Sequence, residues 1–258
     1  MTTSTHTEEI TVMRDGLRLH GRIDAPQGEP KGPVVILMHG FMADLGYEPG
    51  SLLQQVSDQL VEAGFTSVRF DFNGRGNSDG SFANSDVCNQ VEDAIAVLNF
   101  VRDRFEPAEI SLLGHSQGGV TAGMYADVVP SLVLLSPAAS IKDDALRGRV
   151  LGVPFDPYHI PRRIALADGK HEVAGKYSRI AKTIPVYEAA AMFKGPALAI
   201  QGEQDKVIDP SCAHNYGNAM ANCTVSLYTN LDHKFNGDDR MRAIGEAVAF
   251  LQTHHEVA

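Results

Sequence analysis

The pentapeptide Gly114-His115-Ser116-Gln117-Gly118 constrains this chain more than any other stretch. It follows a short apolar run, Ile110-Ser111-Leu112-Leu113, and precedes Gly119-Val120-Thr121-Ala122-Gly123-Met124, a sequence suited to a tightly packed helix start. A strand that reverses into a helix within one residue needs small neighbours beside the turn, because a Cβ there strikes opposing backbone. The apex residue then projects its side chain outward, next to the unpaired amides of the helix start. The pattern predicts a strand, a sharp turn and a helix, with Ser116 as the candidate nucleophile at the apex.

The surrounding pattern alternates between strands and helices. Two alternating segments, Ile10–Met13 and Leu17–Ile23, flank the turn signal Arg14-Asp15-Gly16 and predict a hairpin. A loop rich in Pro and Gly follows, from Pro26 to Pro33. Val34–Met38 is continuously apolar and ends at His39-Gly40-Phe41, as expected of a strand buried on both faces of a parallel sheet. Helical periodicity at Ser51–Ala63 and Val87–Arg104 alternates with strands at Thr66–Phe70, Glu109–Leu113 and Leu132–Leu135. The rhythm stops over residues 140–184, which carry charge, several prolines and no clean sheet pattern. It resumes with strands at 196–200 and 224–228 and a helix at 239–253. This order predicts an α/β fold with a doubly wound, mostly parallel sheet, interrupted by one insertion. The predicted organisation is a core built from residues 1–139 and 185–258, with 140–184 as an inserted lid.

Composition narrows the function. The chain has 258 residues and a net charge of −10, which disfavours a phosphate backbone as partner, so nucleic acid is not expected. Three cysteines, Cys88, Cys212 and Cys223, are neither paired in number nor closely spaced, so no disulfide framework or zinc site is expected. No His, Cys, Asp or Glu cluster has metal-ligand spacing, and no metal or cofactor is expected. The first residues have neither a basic start nor an apolar core, and no apolar run has the length of a membrane span. A cytoplasmic protein without membrane association is therefore expected.

A serine hydroxyl at neutral pH needs a base, and the base needs an orienting carboxylate. In a parallel sheet these groups belong just beyond the C-terminal ends of strands. Asp205 follows the strand at 196–200, and His233 follows the strand at 224–228. Asp209 lies in the same loop as Asp205, which is preferred as the nearer to the strand end; Glu203 and Asp232 read as surface carboxylates. Among the other histidines, His6, His254 and His255 lie near the termini and read as solvated, while His39 and His115 read as structural. The oxyanion of acyl transfer requires amide donors, assigned to Gln117, next to the nucleophile, and to Phe41, after the third strand. The run Asp71–Gly80 is glycine-rich but lacks the Gly-Lys-Ser/Thr ending of a phosphate loop, and reads as a structured turn near the site.

Taken together these residues resemble the α/β-hydrolase superfamily, over nearly the whole chain. Within it the chain is most similar to the bacterial cinnamoyl (feruloyl) esterases, through His39-Gly40-Phe41, Arg69-Phe70-Asp71-Phe72-Asn73-Gly74, Gly114–Gly119 and the placement of Asp205 and His233. In the insertion, Ser136-Pro137-Ala138-Ala139, Lys142-Asp143-Asp144-Ala145-Leu146, Pro157-Tyr158-His159-Ile160-Pro161 and Ile184-Pro185-Val186-Tyr187-Glu188 resemble the lid of those enzymes. The resemblance implies a serine esterase that hydrolyses hydroxycinnamate esters through an acyl-enzyme, with a small-molecule ester as partner and a homodimeric state. It also implies that Asp144 and Tyr177 bind the phenolic hydroxyl. A glutamine expected shortly after the aspartate is Leu151 here. The competing expectations are a short-chain carboxylesterase or monoacylglycerol lipase, whose lid presents an apolar groove, and a non-enzymatic binding protein of the same fold. Dehalogenases and epoxide hydrolases of this fold carry an aspartate where Ser116 stands.

Overall fold

The computed structural model describes residues 5–27, 32–105 and 109–255. The start of the chain and most of the Pro/Gly-rich loop before Pro33 lie outside the described residues. The chain opens with β1 (Thr5–Arg14) and β2 (Leu17–Pro26), an antiparallel hairpin. Its two turn residues, Asp15 and Gly16, have φ of 50° and 83°, the positive values that match the twist of paired strands. Then follow β3 (Val34–Met38), α1 (Leu52–Glu62), β4 (Thr66–Phe70), α2 (Val87–Arg104), β5 (Ile110–His115), α3 (Gln117–Met124) and β6 (Leu132–Leu135). The inserted stretch contains α4 (Ile141–Leu146), β7 (Arg149–Val150), β8 (Val153–Pro154), β9 (Arg163–Ala165), β10 (Glu172–Ala174) and α5 (Gly175–Ala181). The chain closes with α6 (Val186–Ala190), β11 (Ala197–Gly202), α7 (Ser211–Ala219), β12 (Cys223–Tyr228) and α8 (Arg240–Thr253).

Eight strands form one sheet in the order β1-β2-β4-β3-β5-β6-β11-β12. Only the pairings of β2 with β1 and β4 are antiparallel; every other pairing is parallel. The chain moves outward from β3 to β4, then crosses back to place β5 on the other side of β3. That reversal opens a crevice at the C-terminal ends of β3 and β5, where side chains and ligands can enter the sheet edge.

The continuous apolar runs have a two-sided explanation. Val34, Ile36 and Met38 face a cluster that includes Val97, Val101, Val120 and Tyr216, from α2, α3 and α7. Val35 and Leu37, the alternate positions, face Val56, Leu60, Ile244 and Leu251, from α1 and α8. Successive side chains point to opposite faces, so a strand covered on both faces needs apolar residues throughout. Each such side chain contributes about 1.5–3 kcal/mol by leaving water.

The inserted strands pair only in two short ribbons, β7 with β8 and β9 with β10, and neither joins the main sheet. A third apolar cluster lies beneath them, joining Val150, Ile164, Leu166, Val173 and Tyr177 to Phe41 and Phe82 of the core. Helices α4, α5 and α6 have 6, 7 and 5 residues, too few turns to leave a readable period in the sequence. Among the described residues no helix is long and apolar enough to cross a membrane.

One expectation is overturned. His255 is not solvated but 7% exposed. Its Nδ1 lies 2.8 Å from Glu109 Oε2 and its Nε2 lies 2.6 Å from Ser111 Oγ. Sequence position near a terminus says nothing about burial once α8 has carried the chain back over the sheet. His254, one residue earlier, is exposed as expected.

Candidate active site

The strand, turn and helix around Ser116 form as the pentapeptide predicts: β5 ends at His115 and α3 begins at Gln117. Ser116 holds φ 56° and ψ −123°, a conformation that costs a non-glycine residue about 1–3 kcal/mol. The glycines make this turn possible. A Cβ on Gly114 would overlap the Gly118 carbonyl, and one on Gly118 would overlap the Met38 and His39 carbonyls. The strained serine is held by its neighbours: its amide donates to the Leu135 carbonyl, and its carbonyl accepts from Gly119 and Ala138, each at 3.0 Å.

The structure brings Ser116, His233 and Asp205 together from three strand ends. His233 Nε2 lies 2.9 Å from Ser116 Oγ, and His233 Nδ1 lies 2.7 Å from Asp205 Oδ2. With Nδ1–H donating to the carboxylate, Nε2 is left to accept the serine proton. Asp205 is oriented on every side: Oδ1 accepts from the amides of Val207 and Ile208, and Oδ2 accepts from Gln201 Nε2, all at 2.8 Å. Burial pushes its carboxyl pKa up, but the His233 bond and charge and the two amides prevail, holding it below the usual carboxylate range. Asp209 is turned to another task, accepting from the Ser211 amide at the start of α7. Asp232 shapes the His233 loop by accepting from the amides of Lys234 and Asn236.

His115 supports the site directly. Its Nε2–H donates to the His233 carbonyl at 2.8 Å, and the two rings lie 5.1 Å apart. Burial, with the nearby His233, lowers the His115 pKa to about 3, so it is a neutral donor. The loop after β3 is braced from the loop after β4. His39 donates from Nδ1 to the Gly40 carbonyl and accepts at Nε2 from the Phe72 amide. Burial lowers its pKa as well. The Asp71 carboxylate accepts from the amides of Leu45 and Asn77. The run Asp71–Gly80 is thus a bracing turn beside the site, as its sequence suggests.

Gln117 begins α3, directly after the serine, and Phe41 lies in the loop after β3. Among the described residues neither amide donates a hydrogen bond, which leaves both free to meet a developing oxyanion. Gly40 lets the two segments approach: a Cβ there would sit 3.0 Å from Ser116 Cβ. Gly40, Phe41, Ser116, Gln117 and His233 line a cavity of about 920 Å³, together with Asp144, Tyr177 and Leu151 from the inserted segment.

Tyr177 is 5% exposed, and its ring lies 4.8 Å from that of Phe41. Its hydroxyl donates to Gln117 Oε1 at 2.7 Å, and Gln117 Nε2 donates in turn to Gln90 Oε1 at 2.9 Å. Burial, reinforced by the Asp144 charge, raises the Tyr177 pKa. Asp144 is half-buried and receives a hydrogen bond from Ser140. Leu151 occupies the tight turn between β7 and β8 at φ 46° and is 42% exposed at the cavity wall. The sequence reading missed Gln90 and Gln201 as supports, and only the polar type of a residue inside an apolar pattern marks either one.

Comparison with known proteins agrees with this architecture. Residues 28–158, just over half of the chain, match the family model described as serine aminopeptidase, S33. The structure of Est1E from Butyrivibrio proteoclasticus with ferulic acid bound superimposes with a TM-score of 0.88 at 28% identity, covering 95% of this chain and 98% of that one. An uncharacterized 31.7 kDa protein of the traX-finO intergenic region of Escherichia coli is 34% identical over 109 residues, 42% of this chain and 36% of the relative. The thiohydrolase aneE of Aspergillus aculeatus is 31% identical over 123 residues, 46% of this chain and 36% of the relative. The matches thus span about a third of the length of these curated relatives. A mostly parallel eight-stranded sheet, a serine on a strained strand-to-helix turn and this family match lead to one conclusion: the chain belongs to the S33 serine aminopeptidase family of α/β-hydrolases.

Proposed function

We propose that the protein is a serine esterase that cleaves hydroxycinnamate esters through an acyl-enzyme. The observation that carries the catalytic part is the hydrogen-bonded chain Ser116–His233–Asp205, opening on a cavity beside two unpaired amides. Ser116 Oγ attacks the ester carbonyl while His233 Nε2 takes its proton. The amides of Phe41 and Gln117 receive the oxyanion of the tetrahedral intermediate. His233 then protonates the leaving alcohol, and water repeats the sequence on the acyl-enzyme. Asp205 keeps the imidazole in the required tautomer and stabilises its positive charge. The same relay serves esters and amides, so the family description is chemically compatible with this reading.

Support for the acyl group comes from Est1E, which holds ferulic acid in a fold alike over 95% of this chain. The aromatic wall of Phe41 and Tyr177 suits a planar cinnamoyl ring. The Tyr177 proton is committed to Gln117, so its oxygen is left to accept, as is the Asp144 carboxylate. Two acceptors in the lining of one cavity favour a ring that carries a donating hydroxyl.

A second reading, an aliphatic esterase or monoacylglycerol lipase, is favoured by the exposed Leu151, which lines the same cavity as Ile141, Leu52 and Leu53. Hydrolysis of methyl ferulate and methyl p-coumarate beside p-nitrophenyl butyrate separates the two. The hydroxycinnamate reading expects Asp144→Ala and Tyr177→Phe to lower kcat/KM on methyl p-coumarate by about 10-fold or more, with the butyrate rate far less affected. Turnover of the butyrate ester alone moves the function to an aliphatic esterase.

A further inference from the structure

Arg75, in the loop after β4, reaches three other segments at once. Its Nε donates to the Ala43 carbonyl at 2.9 Å, and its Nη2 donates to the Met42 carbonyl at 2.6 Å. Its Nη1 lies 3.4 Å from His171 Nε2, at the entry to β10. Its guanidinium carbon lies 5.1 Å from the centre of the Phe82 ring. The His171 tautomer agrees with this contact: Nδ1 lies 2.5 Å from Asp168 Oδ2, so Nδ1–H donates there and Nε2 accepts from Arg75.

Met42 and Ala43 directly follow Phe41 and are themselves exposed. A backbone bond from the Ala43 amide to the Gly40 carbonyl, at 3.1 Å, closes the turn across Phe41, and the other side-chain braces of this loop act on either side, at His39 and at Leu45 and Gly46, whose carbonyls accept from Arg69. Among the described residues Arg75 is the side chain that hydrogen-bonds the Met42 and Ala43 carbonyls. His171, at its other end, belongs to the inserted segment, and Phe82 packs between the His171 and Phe41 rings at 5.0 and 4.8 Å. A guanidinium presents several donors in one rigid plane and can hold such divergent acceptors; an ammonium cannot.

We propose that Arg75 is a positioning residue that sets the Phe41 amide for the oxyanion and ties it to the seat of the inserted segment. This inference rests on the esterase reading above. The insertion and the oxyanion loop then form one mechanical unit, so a change in how the β9–β10 ribbon sits reaches the Phe41 amide through the guanidinium.

The test uses Arg75→Met, Arg75→Lys and His171→Ala. Each is assayed for kcat and KM on the best ester and for inhibition by an aryl trifluoromethyl ketone, which forms a tetrahedral oxyanion on the serine. Arg75→Met is expected to lower kcat about 10–100-fold with KM within about 3-fold, and to raise the ketone Ki by the same factor. Arg75→Lys recovers little, and His171→Ala moves both quantities in the same direction by a smaller factor. A kcat within about 2-fold of wild type in Arg75→Met, or a lowered kcat with unchanged ketone Ki, overturns the inference. Should Arg75→Met fail to fold, wild-type ketone affinity in both Arg75→Lys and His171→Ala overturns it as well. Ser116→Ala in the same assay separates the two ideas. Turnover surviving there overturns the esterase reading, whereas turnover lost there but intact in the Arg75 variants overturns only the role of Arg75.

Discussion

Strand β5 and the turn that ends it carry two serines five residues apart, and each sits in a chain of serine, histidine and carboxylate. Ser116 joins His233 and Asp205 at 2.9 and 2.7 Å; Ser111 joins His255 and Glu109 at 2.6 and 2.8 Å. By these distances alone the two are alike. They differ in everything around the hydrogen bonds. Ser111 lies within the strand, wholly buried, and its hydroxyl is shared with Ser131 at 2.6 Å. Ser116 occupies a positive-φ turn at the cavity, whose lining also includes Phe41 and Gln117, neither of whose amides donates a hydrogen bond among the described residues. The carboxylates are reversed as well: the Asp205 side chain is 0% exposed and the Glu109 side chain 62%. A relay of hydrogen bonds becomes a candidate catalyst only with room for a substrate, donors for its oxyanion and a dry carboxylate. Without them the same atoms form a latch that holds the end of α8 against the sheet.

The sharpest way to break this contrast is to remove each serine. Ser116→Ala is expected to lower kcat by about 10⁴-fold or more with the fold intact. Ser111→Ala is expected to leave kcat within about 2-fold while costing about 1–3 kcal/mol, since a buried hydrogen-bonding group loses its partner. Esterase assays and thermal melts on the two variants check both halves. Equal losses of activity would erase the distinction.

The carboxylates give the next largest difference. Asp205→Asn is expected to reduce kcat about 10⁴-fold by destabilising the required tautomer and its charge. Glu109→Gln, at an exposed position, is expected to change stability by no more than about 1 kcal/mol and to leave turnover alone.

Acid sharpens the comparison with the smallest effect. Burial keeps the His115 pKa at about 3, well below its unfolded value of about 6.5. The unfolded chain therefore binds the extra proton first, and this contribution to stability is complete above pH of about 6.5 and lost as pH falls toward about 3. Thermal melts of His115→Gln are expected to show a shallower loss of stability between pH 7 and pH 4 than wild type. An unchanged acid slope would place the sensitivity elsewhere.

The two regions also show what a sequence reveals and what it hides. The turn at Ser116 is legible because its constraints are local: glycines where a Cβ would strike backbone, an apolar strand before and a small-residue helix after. Asp205 and His233 are legible because topology places loops at strand ends, and strand ends leave a period in the sequence. His255 near the terminus carries no such mark; its burial against Ser111 comes from a contact 144 residues away in the chain. Arg75 is equally silent, since its carbonyl acceptors at Met42 and Ala43 and its contact at His171 leave no pattern of residue type.

The α/β rhythm, the strained serine turn and the loops that supply its partners are written in the order of the residues. Each follows from steric and hydrophobic rules that act over a few residues. Long-range packing sets which of two serine–histidine–carboxylate chains faces a cavity, that the Tyr177 hydroxyl is spent on Gln117, and that one arginine joins the oxyanion loop to the insertion. Those outcomes depend on which distant surfaces meet when the core closes, and a local pattern does not encode them.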